Sequence, residues 1–185
     1  MVATTAASLA YNWVTDSREQ PATKLYDGPF LAVGSTLVAY RQWGASGTPI
    51  ILVGGFAEPT FVWDGVGRRL AGHRVIAIDM PPFGYTQRAG AYSLSSWVAL
   101  VRGVVIRLGL HDPVIVGHSL GAAVAVGYAL TYPNQVHAIT LVDGDALAGS
   151  GRPGFLSTLL IDPFYTTIFR IATSNDALFL SLIHI

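Results

Sequence analysis

The run Val114-Ile115-Val116-Gly117-His118-Ser119-Leu120-Gly121-Ala122-Ala123 constrains this chain more than any other stretch. Three β-branched apolar residues lead into Gly-x-Ser-x-Gly, and an alanine-rich helical run follows. The pattern reads as strand, sharp turn and helix, with a serine at the apex. A serine there is held in a strained backbone conformation that lifts its hydroxyl clear of the sheet. Gly117 and Gly121 flank the apex, where the turned backbone leaves little room for a Cβ. The Leu120 N–H falls at the start of the next helix, where backbone donors are free and the dipole is positive. It is therefore placed to stabilise an oxyanion beside Ser119. The bland reading of the same string is a glycine-rich turn whose serine caps the helix. The strand and helix on either side favour the nucleophile.

Upstream and downstream of this turn, short apolar runs alternate with helical patterns. Residues 4–15 read as a short helix with Leu9, Trp13 and Val14 as its apolar face, and residues 16–23 as a linker. Residues 24–33 read as a strand broken at Asp27-Gly28-Pro29, and Gly34-Ser35 as a turn. Residues 36–43 then form a second strand, making a hairpin. Ile50-Ile51-Leu52-Val53 and Val75-Ile76-Ala77-Ile78 are continuous apolar runs, as expected of strands buried on both faces of a parallel sheet. Between them, residues 61–70 are helical, with Phe61, Trp63 and Val66 predicted to be buried. Residues 80–90 are a loop, and residues 93–108 are a helix capped by Ser93, Ser95 or Ser96. Residues 120–131 form the helix after Ser119, ended near Pro133, and residues 137–142 form a sixth strand.

Strands alternating with helices imply right-handed βαβ units, hence an α/β fold with a mostly parallel sheet and helices on both faces. Ligand chemistry then belongs at the carboxyl ends of the strands, where Gly54-Gly55-Phe56, Asp79, Ser119 and Asp143 all fall. Composition agrees with a packed domain: hydrophobic residues make up 51% of the 185 and charged residues only 12%. The net charge is zero without a basic stripe, which argues against nucleic acid as a partner. There is no cysteine, so disulfides and thiolate metal sites are excluded. No apolar run reaches transmembrane length, and no signal peptide is read, which leans towards the cytoplasm. The oligomeric state stays open.

The chain resembles the α/β-hydrolase fold family, in its broad group of esterases, lipases and carbon–carbon bond hydrolases. The matching pieces are Gly34 with Arg41-Gln42-Trp43-Gly44, Gly54-Gly55-Phe56, Asp79 with Phe83-Gly84, Gly117-His118-Ser119-Leu120-Gly121, and Tyr132-Pro133 with Leu141-Val142-Asp143. They follow the family's order and cover roughly residues 25–145. The resemblance implies Ser119 as nucleophile and an oxyanion hole from the Leu120 and Phe56 N–H groups. It implies a small-molecule substrate, a small apolar ester or a carbon–carbon bond cleaved by the same acyl-transfer chemistry, and no cofactor or metal. Where the family has His-Gly in the oxyanion loop, this chain has Gly54-Gly55.

The family's triad runs serine, acid, histidine in chain order, because a serine hydroxyl needs a base and the base needs an orienting acid. Of five histidines, His73, His111 and His118 precede Ser119. His118 is read as a packing or hydrogen-bonding residue pointing away from the nucleophile, and His137 lies at the wrong end of the sheet. Asp143 is either the acid or a strand-end residue bonding nearby backbone N–H groups. Asp79 reads as structural, and Glu58 as a loop or substrate-mouth residue. The expected organisation is an N-terminal helix and linker (1–23), a hydrolase core (24–146), the start of a helical cap (147–179) and a tail (180–185). The tail, Leu180-Ser181-Leu182-Ile183-His184-Ile185, matches the translated end of a transposon-based sequencing adaptor. The reading is therefore a fragment of a hydrolase that lacks its catalytic histidine and is itself inactive. The competing reading is a non-catalytic α/β-hydrolase-like binding protein. The run 138–142, apolar and without charge, is expected to form an open sheet edge prone to self-association.

Overall fold

The continuous apolar runs become the middle of a sheet. The computed structural model describes residues 2–16, 21–88 and 92–144. The chain divides into two units, Met1–Gln20 with Gly151–Ile185, and Pro21–Ser150. In the second unit, β1 (Phe30–Val33), β2 (Thr36–Trp43), β3 (Pro49–Val53), β4 (Arg74–Ile78), β5 (Val114–His118) and β6 (Ala138–Val142) form one six-stranded sheet in the order β1-β2-β4-β3-β5-β6. β1–β2 and β2–β4 pair antiparallel, whereas β4, β3, β5 and β6 run parallel. Gly34, at φ +59°, allows the tight β1–β2 turn.

The central strands β3 and β4 are buried on both faces, and their successive side chains fall in two separate clusters with the two-residue period of a pleated sheet. Ile51, Val53, Ile76, Ile78 and Ile115 pack on one face with Val98, Val101 and Val104 of α4 (Leu94–Arg107) and with Val124 and Tyr128 of α5 (Leu120–Thr131). Ile50, Leu52, Val75 and Ala77 pack on the other with Trp63, Trp43 and Leu70. Burying each such side chain is worth roughly 1.5–3 kcal/mol, which makes these strands the stable base of the site. Helices on both faces of a mostly parallel sheet are the predicted architecture. α4 starts at Ser93, whose Oγ accepts the Ser96 N–H at 3.2 Å while Ser96 Oγ accepts the Ser93 N–H at 2.9 Å. This reciprocal cap selects Ser93 among the three serines.

Three local expectations are corrected. The strand read over 24–33 begins only at Phe30. Pro21 fixes φ at −59° and starts a single helical turn, α2 (Ala22–Leu25), closed by the Tyr26 N–H to Ala22 O at 3.0 Å. The stretch after β3 is a 3-10 turn, Thr60–Trp63, followed by α3 (Asp64–Arg69). Its buried positions are Thr60, Trp63 and Gly67, whereas Phe61 and Val66 are exposed. The Trp43 ring lies against Gly67 so closely that a Cβ there would overlap it, so the contact point on α3 is a glycine.

In the first unit, α1 (Val2–Asp16) is helical as read, but Leu9, Trp13 and Val14 are exposed, Trp13 at 72%. The buried positions are Ser8 and Asn12, one turn apart on a neighbouring stripe, and neither is without a partner. A small polar face can be buried when its groups are satisfied. The cap and the tail read over 147–185, with His184, lie outside the described residues. No helix among the described residues is long and apolar enough to cross a membrane.

Candidate active site

Because β3, β4, β5 and β6 run parallel, the segments that follow them emerge on one edge of the sheet. Ser119, between β5 and α5, has φ 51° and ψ −115°, a backbone region costly for any residue with a Cβ. Its side chain makes no helix-capping hydrogen bond. The capping role is therefore not what the serine does here. Its N–H donates to Val142 O at 3.0 Å and its carbonyl accepts the Ala122 N–H at 3.0 Å, which holds the turn from both sides.

The flanking glycines explain how so sharp a turn fits. A Cβ on Gly117 would run into the Gly121 carbonyl, and one on Gly121 would run into the Val53 carbonyl and stand 2.7 Å from Gly54 O. The start of α5 thus presses against the ends of both β5 and β3. Leu120 is the first residue of α5, so its N–H lies outside the intrahelical hydrogen-bond ladder.

The loop after β3 passes at contact distance from the nucleophile. A Cβ on Gly55 would stand 3.0 Å from Ser119 Cβ, 3.2 Å from Glu58 Oε2 and 3.4 Å from His118 Nδ1. Phe56, the next residue, is half exposed and packs edge-on against Phe83 with ring centroids 4.9 Å apart. The structure therefore brings together Ser119, Leu120 and the Gly55-Phe56 loop, the residues read as nucleophile and oxyanion donors.

A pairing not foreseen from sequence lies behind them. Glu58 Oε2 accepts the Gly55 N–H at 2.5 Å and stands 2.7 Å from His118 Nδ1. His118 is hydrogen-bonded, as read. Its partner, Glu58, is a loop residue as read, but its carboxylate is committed within the site. An acidic residue three positions after a glycine was the only local signal, and the partner lies 60 residues away.

Asp79, at the end of β4, is fully buried and does structural work. Its Oδ1 accepts the Thr60 N–H at 2.6 Å and its Oδ2 the Tyr85 N–H at 2.8 Å, tying together the loops after β3 and β4. Burial raises its pKa above the ordinary carboxylate value, outweighing the two backbone bonds and the charge of Arg41.

Asp143 differs. It is exposed, sits at φ +45°, and its side chain makes no hydrogen bond or ion pair among the described residues. The backbone bonding considered for it is not seen, and it makes no hydrogen bond to a histidine among the described residues. His137 donates its N–H to Pro113 O at the amino end of the sheet. At about 3.3 Å per residue it lies roughly 16 Å along the strand from the residue level with the elbow. His73 and His111 precede β4 and β5 and share that far end. Among the described residues, no group of three or more His, Cys, Asp or Glu side chains could hold a metal ion.

Residues 48–178 match the family model described as the alpha/beta hydrolase fold. The chain is 36% identical over 103 residues to a 2-hydroxy-6-oxo-2,4-heptadienoate hydrolase of Pseudomonas putida, a match covering 52% of this chain and 37% of that one. It is 32% identical over 124 residues to a pimeloyl-[acyl-carrier protein] methyl ester esterase of Pectobacterium carotovorum, covering 65% and 47%. A solved variant of the meta-cleavage product hydrolase of Pseudomonas fluorescens superimposes with a TM-score of 0.64 and 28% identity, over 76% of this chain and 53% of that one. The chain thus spans between a third and a half of the length of these curated relatives.

Proposed function

The chain belongs to the alpha/beta hydrolase fold family, and from that premise we propose that the complete protein is a serine hydrolase working by acyl transfer. Ser119 is the nucleophile, and the N–H groups of Leu120 and Phe56 receive the charge that develops on the substrate carbonyl oxygen. Ser119 Oγ attacks the carbonyl carbon while a base takes its proton. The tetrahedral oxyanion collapses with departure of the alcohol, or of the carbon fragment in a carbon–carbon cleavage, and water then releases the acyl group.

One observation carries this reading: the strained, non-capping Ser119, with the β3 loop at contact distance from its Cβ. A backbone conformation that costs about 1–3 kcal/mol persists only where the surroundings enforce it, and such outliers cluster at active sites. The substrate is a small molecule, a small apolar ester or a vinylogous diketone-type carbon–carbon bond. The two named hydrolases among the relatives support both chemistries.

The base comes from outside the described residues, since His73, His111 and His137 lie at the far end of the sheet and His118 is engaged by Glu58. The fifth histidine of the 185-residue chain, His184, falls in the tail that matches the sequencing adaptor, and the chain alone is expected to give no measurable ester turnover. The complete protein is expected to turn over esters and to be labelled at Ser119 by a fluorophosphonate. Ser119→Ala in that protein should remove both, with a loss on the order of 10⁶ in kcat. Turnover that survives Ser119→Ala overturns the proposal.

A further inference from the structure

The site contains a carboxylate that the chemistry of Ser119 does not use. Glu58 is neither the nucleophile nor within a triad, yet its Oε2 makes the short contacts that join the two loops of the candidate oxyanion hole. On one side it accepts the Gly55 N–H at 2.5 Å, and on the other it meets His118 Nδ1 at 2.7 Å. An ionised carboxylate can only accept, so it selects the form of His118 that carries a proton on Nδ1. His118 is covalently next to Ser119, and Gly55 is covalently next to Phe56.

The local backbone shows why such a tie is needed. Residues 55–58 form a tight turn, with the Glu58 N–H directed at Gly55 O at a long 3.4 Å. Within it Ala57 has φ 57°, a left-handed conformation that favours glycine. The backbone bond is long, and the turn carries a residue in a conformation that favours glycine. The short Glu58 bond to the Gly55 N–H closes the same turn a second time. The contact with His118 then fixes the turn to the end of β5. A shift of about 1 Å in a catalytic donor is enough to cost roughly 10²-fold in rate, so the aim of the Phe56 N–H matters.

We propose that Glu58 is a positioning residue that clamps the two loops of the oxyanion hole together, holding the Phe56 peptide through Gly55 and the elbow through His118. Its catalytic consequence rests on Ser119 being the nucleophile.

In the complete protein, Glu58→Ala should lower kcat about 10- to 100-fold with KM changed less than about threefold, and should slow fluorophosphonate labelling of Ser119 by a similar factor. Glu58→Gln keeps an acceptor for the Gly55 N–H and should recover kcat to within about fivefold. Amide hydrogen exchange at Gly55 should quicken at least about tenfold in Glu58→Ala while Leu52, inside β3, keeps its protection. Unchanged kcat in Glu58→Ala overturns the proposal. So does a glutamine variant as slow as the alanine one, which would mean that charge rather than the tie is needed. Faster exchange at Leu52 together with Gly55 also overturns it, since the defect would then be general destabilisation. If turnover survives Ser119→Ala, the nucleophile assignment fails by itself. The Gly55 exchange then still decides whether Glu58 holds the loop.

Discussion

The two flanks of Ser119 are built differently. On the β3 and β4 side, Glu58 holds Gly55 and His118, and buried Asp79 holds Thr60 and Tyr85. There the polar side chains are spent on fixing loops. On the β6 side, Asp143 is exposed, and its side chain makes no hydrogen bond among the described residues. β6 pairs with β5 on one edge, and Thr140, Leu141 and Val142 are exposed. The difference separates two tasks of a serine hydrolase. The groups that would stabilise the oxyanion depend on backbone placed by the central sheet, which this chain contains. The groups that would move protons need side chains brought to Ser119 from elsewhere. Among the described residues, the β3 and β4 loops are thus tied by side-chain hydrogen bonds, whereas Asp143 after β6 makes none.

The contrast breaks most completely if the well-braced flank proves dispensable. Gly121→Val puts a side chain into the Val53 carbonyl, where backbone rather than a movable side chain stands in the way. It should cost at least about 3 kcal/mol, read as the loss of a cooperative urea transition. A variant with a wild-type midpoint would show that α5 is not seated on β3 as described.

Asp79→Asn is next in size and tests the same flank. An amide offers one acceptor where the carboxylate offers two, so one of the Thr60 and Tyr85 N–H groups faces an NH₂ instead. The expected cost is about 2 kcal/mol. The pH dependence has a definite sign. Burial raises the folded pKa of Asp79 above its ordinary value, so between the two values the folded chain holds a proton that the unfolded chain has released. The stability contributed by this group therefore falls as pH rises from the ordinary carboxylate range through the raised folded value. The gap between wild type and Asp79→Asn should be wider near pH 4 than at pH 7 in paired urea melts; a gap that widens towards pH 7 would contradict the assignment. The same substitution at Asp143 should move the midpoint by less than about 0.5 kcal/mol, since no side-chain bond is lost and asparagine tolerates a left-handed backbone.

The remaining prediction concerns the β6 edge. The 185-residue chain should self-associate through this strand, giving a multimer in size-exclusion chromatography with light scattering. Leu141→Lys, which places a charge on the exposed edge strand, should weaken that association about tenfold, equivalent to about 1.4 kcal/mol. A sharp monomer peak for the unmodified chain would show that the edge is already protected.

Much of the fold was legible because it is written in local terms. The apolar runs at 50–53 and 75–78 became buried β3 and β4, and Gly34-Ser35 became the hairpin turn. Residues 120–131 became α5, followed by Pro133 as read. The elbow was legible for the same reason, since strand, glycines, serine and helix are contiguous. Burial was less so. Phe61, Val66, Leu9 and Trp13 are apolar and exposed, whereas Gly67, Ser8 and Asn12 are buried. Periodicity finds a helix, but what arrives against the helix decides which stripe is covered.

Two kinds of information therefore divide this molecule. The sequence by itself determined the order and type of the elements and the position of a serine at a strand-to-helix apex, because hydrogen-bonding period and steric room act between near neighbours in the chain. Only the tertiary structure decided that Glu58 meets His118, that Asp79 ties Thr60 to Tyr85, and that Asp143 stands without a side-chain partner among the described residues. Those outcomes depend on sheet order and register, which bring Glu58 and His118, 60 positions apart, into hydrogen-bonding distance. A carboxylate in a loop carries no local mark of the partner it will find there.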